Sequence, residues 1–308
     1  MALWLDAFVP TFGLIALGLL LRRSVLPENA VWAGMERLVF YVLLPCQLAA
    51  SISTVDLARL PLGGMAAALW LALLFATGAS ILLARALGLG FATMTSVLQG
   101  GIRFNTLMAL AMAAPLFGPP GLAFGGITAG LIVPGVQVLL TLVFAMGGET
   151  GGARRLPPLR VVAWQMARNP LLLGCLAGFV LAAMGGMPIG FGALVRALGA
   201  AAVPLGLLSV GAALTLGGMR ARLPTQLLTS ALKLLVVPAG TWAFCRLLGL
   251  PPLATAVATL FMAIPTATTS YVTARAMGGD APLMAALTTT EHVLAVLTLP
   301  LWVALLVG

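Results

Sequence analysis

The chain has 308 residues, of which 61% are hydrophobic and only 7% are charged. Soluble domains carry about a quarter charged residues, so this composition excludes an ordinary soluble protein and predicts an integral membrane protein. The formal net charge of +9 does not indicate a nucleic-acid partner, because most arginines lie at the ends of apolar stretches, where the positive-inside rule places them.

Apolar stretches of about 20 residues, each long enough to cross a bilayer as a helix, recur along the whole sequence. Pro, Gly and Arg residues separate them. The sequence therefore predicts an all-α membrane protein with ten transmembrane helices. Their predicted spans are 5–22, 30–51, 61–87, 91–117, 120–146, 161–185, 191–217, 224–249, 252–277 and 282–306.

The longest polar gap, residues 147–160, separates the fifth and sixth predicted helices. It contains Arg154, Arg155 and Arg160, and arginine-rich loops of membrane proteins face the cytoplasm. Counting helices from this loop in both directions places both chain termini outside the cytoplasm. The preference for arginine over lysine suggests a bacterial genome, so we expect a multi-pass protein of the bacterial plasma (inner) membrane.

The two halves of the chain resemble each other at an offset of about 160 residues. The matched pairs, which occur in the same order in both halves, are Pro10 with Pro170, Pro45 with Pro204, and Asn105 with Thr266. Each half contains five predicted helices, an odd number, so the two copies insert in opposite directions. Residues 1–146 and 161–308 are thus predicted to be inverted repeats, as in many secondary transporters.

Helices four and nine are weakened at equivalent points of the two repeats. Arg103 and Asn105 follow two glycines in helix four, whereas Pro265 and Thr266 interrupt helix nine. Proline removes a backbone donor, and a polar group at membrane depth needs a partner or water. The N-termini of half-helices carry partial positive charge, so the pattern predicts a site for a small organic anion.

Neutral polar side chains are expected to line this site. A simpler interpretation is that Asn105 caps its own helix and that Thr266 bonds back to a carbonyl oxygen. The additional candidates are Thr106 and Thr268, which supply hydroxyl groups, and Gln137, a possible polar wall contributed by helix five.

The charged residues inside the predicted helices leave several interpretations open. Arg103 either meets a substrate carboxylate or forms a structural ion pair with Glu291. Glu291 is the one acid well inside a predicted helix and lies next to His292, the one histidine, which suggests proton coupling. Alternatively, Glu291 neutralises Arg103 or Lys233, and His292 bonds to a carbonyl oxygen. Lys233 is expected to snorkel or to be paired.

Other classes of protein fit the sequence less well. A membrane enzyme usually needs paired acids with a metal, or a nucleophile with a base, and the seven acidic residues are spread along the chain. We therefore expect no enzymatic activity, metal site or cofactor. Within the transporters, the alternative is a cation/proton antiporter or a sodium-coupled symporter of the same fold, although either would favour clustered acids.

At these residues the chain resembles the auxin efflux carrier family, the bacterial relatives of the plant PIN auxin carriers. The resemblance rests on Phe104–Leu107 (Phe-Asn-Thr-Leu) at the first break and on Pro265 at the second. Phe104 stands where the plant carriers have proline. Further similar stretches are Leu44-Pro45, Asn169-Pro170 and Thr298-Leu299-Pro300.

The resemblance implies two inverted five-helix repeats, similar to those of bile-acid symporters and sodium/proton antiporters. It implies a scaffold of helices 1, 2, 6 and 7, which can form a homodimer, and a transport domain of helices 3–5 and 8–10 that moves like an elevator. Family members carry small organic acids, such as auxin or malonate- and malate-like compounds. Asn105 and Pro265 are then the substrate-site positions.

Overall fold

The computed structural model describes residues 2–56, 60–147, 159–215, 217 and 222–307, and most of these residues lie in helices. The first half contains α1 (Ala2–Ser24), α2 (Asn29–Leu38), a first π segment (Val39–Leu43), α3 (Leu44–Ile52), α4 (Leu62–Ala86), α5 (Phe91–Ile102) and α6 (Thr106–Gly147). The second half contains α7 (Leu159–Ala167), α8 (Pro170–Ala183), α9 (Phe191–Ala213), α10 (Leu223–Ala231), a second π segment (Leu232–Val236), α11 (Val237–Leu247), α12 (Pro252–Ala263), α13 (Thr269–Ala276) and α14 (Ala281–Val307).

The described residues include seven helical stretches that are long and apolar enough to cross a membrane, and two shorter apolar helices, α8 and α12. The chain is therefore a multi-pass membrane protein. The polar loop predicted at 147–160 falls mostly outside the described residues, and so do Arg154 and Arg155.

Helix α6 consists of two helical pieces that meet at Gly118. This residue has φ 66° and ψ −166°, a conformation that glycine adopts without a steric penalty. Pro119 and Pro120 follow it, and neither can donate a backbone hydrogen bond to the preceding turn. The change of direction lies between the spans predicted for helices four and five.

The chain divides into two compact units, of which the first comprises Met1–Leu62, Thr106–Gly130 and Gln165–Ala213. Inside this unit, α1 packs closely on α9. A Cβ atom added to Gly18 would lie 2.0 Å from the carbonyl oxygen of Leu208, and one added to Gly211 would lie 1.9 Å from that of Ile15. These glycines therefore let the two backbones approach, as small residues do between membrane helices.

The second unit comprises Gly63–Asn105, Leu131–Trp164 and Leu214–Gly308. Here α5 packs with α10, α13, α14 and the second π segment. One end of this unit has a buried apolar core, formed by Ala84, Val97, Ala274, Leu283, Met284 and Leu287.

Asp280 links several elements of the second unit. Its carboxylate lies 2.6 Å from the Arg222 guanidinium and accepts hydrogen bonds from the Thr93 hydroxyl and from the Leu283 N–H in the first turn of α14. The Asp280 carbonyl oxygen accepts a hydrogen bond from the Ser96 hydroxyl. These contacts hold the start of α5 against the start of α14.

Candidate functional site

Both helices that the sequence predicted to be weakened are interrupted in the second unit. Helix α5 ends at Ile102, and Arg103 then adopts an extended conformation with φ −82° and ψ 159°. Helix α12 ends at Ala263, and Ile264 is extended with φ −70° and ψ 140°. Helix four is therefore fully broken, although Phe104 stands in place of a proline.

The two breaks contact each other through backbone and side-chain groups. The N–H of Asn105 donates to the carbonyl oxygen of Pro265 at 2.9 Å, and the Thr266 hydroxyl donates to the carbonyl oxygen of Gln99 at 3.2 Å. Irregular backbone is tolerated at membrane depth where other protein groups form hydrogen bonds with its polar atoms. Each break supplies such hydrogen bonds to the other.

An aromatic contact adds apolar packing beside the crossing. The rings of Phe104 and Phe261 lie 5.8 Å apart between centroids at an interplanar angle of 55°, and both side chains are buried. Tertiary contacts of this kind, rather than a proline, accompany the break in helix four.

Arg103 presents a positive charge at the first break. Its guanidinium donates to the Gln99 side-chain oxygen at 3.3 Å, to the Thr273 hydroxyl at 2.8 Å and to the Thr269 hydroxyl at 3.0 Å. All three acceptors are neutral, and the described residues place no carboxylate within ion-pair distance of this side chain. The arginine is half-buried, so part of it remains accessible.

The ion pair between Arg103 and Glu291, which the sequence left open, is not formed. Glu291 instead accepts a hydrogen bond at 2.8 Å from the backbone N–H of Thr266. A Cβ atom added to Gly100 would lie 3.2 Å from its other carboxylate oxygen. Glu291 therefore lies directly behind the crossing of the two breaks and is fully buried.

Lys233 is also fully buried, so the expectation that it snorkels to the membrane surface is wrong. It belongs to the second π segment, in which an extra residue per turn changes the direction of the side chains relative to a regular α-helix. This segment packs against α14, the helix that carries Glu291. The Lys233 ammonium nitrogen has no hydrogen-bond partner among the residues that the structure describes.

His292 is bonded within its own helix. Its Nδ1 atom lies 2.7 Å from the carbonyl oxygen of Thr288, which is the simpler of the two interpretations that the sequence allowed. The side chain is buried, with 3% of its surface exposed.

The remaining predicted residues lie at different distances from the crossing. Thr106 is the first residue of α6, and Thr268 precedes α13, where its carbonyl oxygen accepts from the Tyr271 N–H. Gln137 is half-buried in the second piece of α6. No hydrogen bond recorded within the described ranges joins the Gln137 side chain to the crossing.

Sequence reasoning did not predict which residues hold Arg103 in place. Gln99 precedes it by four positions, and Thr269 and Thr273 are also four positions apart. Residues with this spacing share one face of a helix. The two threonines thus form one hydroxyl-bearing face, and the pattern was visible in the sequence.

Comparison with known proteins bears on these observations. Residues 152–303, nearly half of the chain, match the family model described as membrane transport protein. No curated protein matches the sequence. The matched segment includes the second break and Glu291, and it confirms the resemblance predicted from the sequence. Residues 152–303 are therefore similar to the membrane transport protein family, which includes the auxin efflux carriers.

Proposed function

We propose that this protein is a secondary transporter that moves a small organic anion across the plasma membrane. The substrate class is an auxin-like monocarboxylate or a malonate- or malate-like dicarboxylate. The observation that carries the proposal is Arg103, a half-buried arginine at the break of a membrane helix whose three hydrogen-bond partners are all neutral. A substrate carboxylate supplies the negative charge that these partners lack.

The chemistry of arginine favours this class of ligand. A guanidinium has five N–H donors in a planar fork that matches a carboxylate with two parallel hydrogen bonds. The three protein contacts hold the fork without neutralising it. We assign Asn105, Pro265, Thr266 and Thr268 to the same site, together with Phe104 and Thr106 beside the first break, and Gln137 as a more distant wall.

A cation/proton antiporter or a sodium-coupled symporter of the same fold has less support. Within the described ranges Glu291 is the only fully buried carboxylate, and one of its oxygens already accepts the Thr266 N–H. The ammonium group of Lys233 carries the same sign of charge as a bound cation would. A transported cation therefore meets few ligands and a competing positive charge.

The proposed architecture is ten membrane helices arranged as two inverted repeats, with helices four and nine crossing at their breaks. The continuous apolar stretch Phe91–Met146 has 56 residues, which as a straight helix would extend about 84 Å. The hydrocarbon core of a bilayer is about 30 Å thick. Together with the break at Arg103 and the bend at Gly118, this length supports two spans within the stretch.

We propose an elevator mechanism in which helices 3–5 and 8–10 move together. The grouping of α4, α5 and α10–α14 in one compact unit supports this proposal, as does the grouping of α1–α3, α8 and α9 in the other. Residues Thr106–Gly130, which include parts of predicted helices four and five, belong to the first unit and are the exception to this grouping.

Two further parts of the proposal concern the membrane. Both termini lie outside the cytoplasm of a bacterial cell, and the scaffold helices 1, 2, 6 and 7 form a homodimer surrounded by lipid. Labelling of cysteines introduced at each terminus with a membrane-impermeant reagent tests the orientation. Labelling of the termini only after cell lysis would contradict it.

Uptake of radiolabelled malonate and indole-3-acetate by proteoliposomes tests the transport proposal. We expect Arg103→Gln to weaken transport at least about tenfold, since a hydrogen bond to a charged group contributes about 1.5–3 kcal/mol. Arg246→Gln is the matched control, because Arg246 is exposed and lies over the Trp242 ring near the end of α11. Equal transport by the two variants would contradict the assignment of Arg103.

A further inference from the structure

Lys233 and Glu291 form a buried pair of opposite charges that the proposed anion site does not use directly. Both side chains are fully buried in the second unit, one on the second π segment and one on α14. Two charges removed from water are costly unless they compensate each other. The pair as a whole is neutral when Lys233 is protonated and Glu291 is ionised.

Each member of the pair keeps polar atoms without a hydrogen-bond partner. The Lys233 Nζ atom and the Glu291 Oε1 atom have no hydrogen-bond partner among the described residues. Buried polar atoms in proteins are nearly always satisfied, and an exception requires an explanation. Three further buried side-chain atoms also have no hydrogen-bond partner in the described part of the chain: Gln99 Nε2, Thr229 Oγ1 and Ser230 Oγ.

Glu291 faces a different set of groups on each helix packed around it. The second π segment, which packs against α14, contributes Lys233, α5 contributes Gly100, and α10 contributes Thr229 beside that glycine. On α14 itself, the neighbouring His292 is bonded to the carbonyl oxygen of Thr288. The break in α12–α13 contributes the Thr266 N–H.

Arg103 is the remaining charged group near the crossing, and its guanidinium is bonded to Gln99, Thr269 and Thr273. Lys233 is the fully buried cation on an element that packs against α14. His292 shares a helix with Glu291 but directs one ring nitrogen at its own backbone.

We propose that Glu291 takes up one proton when the carrier binds its anion, and that Lys233, rather than His292, keeps Glu291 ionised until then. The inference rests on the proposed anion transport. Uptake converts the Glu291 carboxylate to a carboxylic acid, and the net charge of the pair rises from zero to +1. The carboxylate that binds at Arg103 brings a charge of −1, so the proton and this carboxylate compensate each other in a buried region. Both ligands leave together on the opposite side of the membrane.

A short chain of contacts connects the two binding events. Glu291 accepts the Thr266 N–H, and the Thr266 hydroxyl donates to the Gln99 carbonyl oxygen. The Gln99 side-chain oxygen in turn accepts a hydrogen bond from Arg103. A bond to a carboxylate is stronger than one to a neutral acid, so protonation of Glu291 weakens its hold on Thr266. Anion binding and proton binding are then thermodynamically linked, each favouring the other.

Calorimetric titration of the purified protein with malonate tests the inference. When the titration is repeated in buffers of different ionisation enthalpy, the heats give the number of protons taken up for each malonate bound. We expect about one proton in the wild type, because linked binding requires matched uptake. We expect none in Glu291→Gln or in Lys233→Met, where Glu291 is already neutral before malonate arrives. His292→Gln is the matched control and retains the wild-type proton uptake.

A second variant and a second measurement remain informative if a single variant fails to fold. The double variant Glu291→Gln/Lys233→Met removes both buried charges together, which proteins tolerate better than removal of one. It is expected to bind malonate without proton uptake. Infrared difference spectra on malonate addition should show the carbonyl band of a new carboxylic acid in the wild type but not in the double variant.

The outcomes separate this inference from the transport proposal. Malonate binding without proton uptake in the wild type overturns the inference and leaves anion transport standing. Undiminished uptake in the double variant, or its loss in His292→Gln, also overturns the inference. Failure of both malonate and indole-3-acetate to bind overturns the proposed function and the inference with it.

Discussion

Gly101 determines how closely the end of α5 approaches α4. A Cβ atom added at this position would lie 2.1 Å from the Ser80 hydroxyl oxygen and 3.4 Å from the Ser80 Cβ. Ser80 is fully buried and its hydroxyl donates to the carbonyl oxygen of Ala76 at 2.7 Å. Gly101→Ala therefore forces either the serine side chain or the end of α5 to move, immediately before Arg103.

Three effects set the size of the change in stability. Overpacking of a buried contact costs about 1–3 kcal/mol, and loss of the serine hydrogen bond adds about 0.5–1.5 kcal/mol. The higher helix propensity of alanine offsets about 1 kcal/mol. We therefore expect Gly101→Ala to lower the free energy of unfolding by about 0.5–3.5 kcal/mol.

Unfolding of the purified protein in mixed detergent micelles measures this difference. Gly78→Ala is the matched control, because it lies on α4 with no atom within 4 Å of the added Cβ. It should stabilise the protein slightly or not at all. Ser80→Ala combined with Gly101→Ala should recover most of the lost stability, since the conflicting oxygen is gone. The reasoning is refuted if Gly101→Ala matches the control, or if the double variant is no more stable than Gly101→Ala.

Three further substitutions test the site and its supports. Asn105→Ala should abolish malonate transport in proteoliposomes while the protein remains inserted and monodisperse, and unchanged flux would exclude it from the site. Thr273→Val removes one hydrogen bond to Arg103 and should lower malonate affinity about threefold to tenfold in calorimetry; wild-type affinity would contradict this. Asp280→Ala should cost about 1 kcal/mol more than Arg222→Gln in unfolding experiments, because it also removes a cap from α14.

Much of the fold was accessible from the sequence because hydrophobicity and helix-breaking residues act locally. Composition alone predicted a helical membrane protein, and the positions of both breaks followed from Arg103 and Asn105 in helix four and from Pro265 in helix nine. Gly118 and the two prolines after it similarly marked the bend in α6. The ten-helix inverted repeat and the substrate-site residues themselves stay predictions.

The environment of the charged residues was harder to predict from the sequence, because it depends on which helices pack together. Among the described residues, Arg103 has no carboxylate partner. Its guanidinium instead donates hydrogen bonds to three neutral side chains from α5 and α13. Lys233 was expected either to extend its stem to water or to be paired. A π segment at Leu232–Val236 turns it inward instead, and hydrophobicity gives no signal for such a segment.

The environments of Arg103 and Lys233 lead to the same conclusion about the ligand. A protein that needed Arg103 only for stability would neutralise it with Glu291, because both side chains contact the same crossing through Gln99 and Thr266. Glu291 instead accepts the Thr266 N–H, and the arginine retains its charge. Separating the charges in this way costs stability, and it leaves the Arg103 guanidinium for an anion that is not part of the chain. The arrangement is therefore explained by a charged ligand at Arg103 more readily than by the stability of the folded chain.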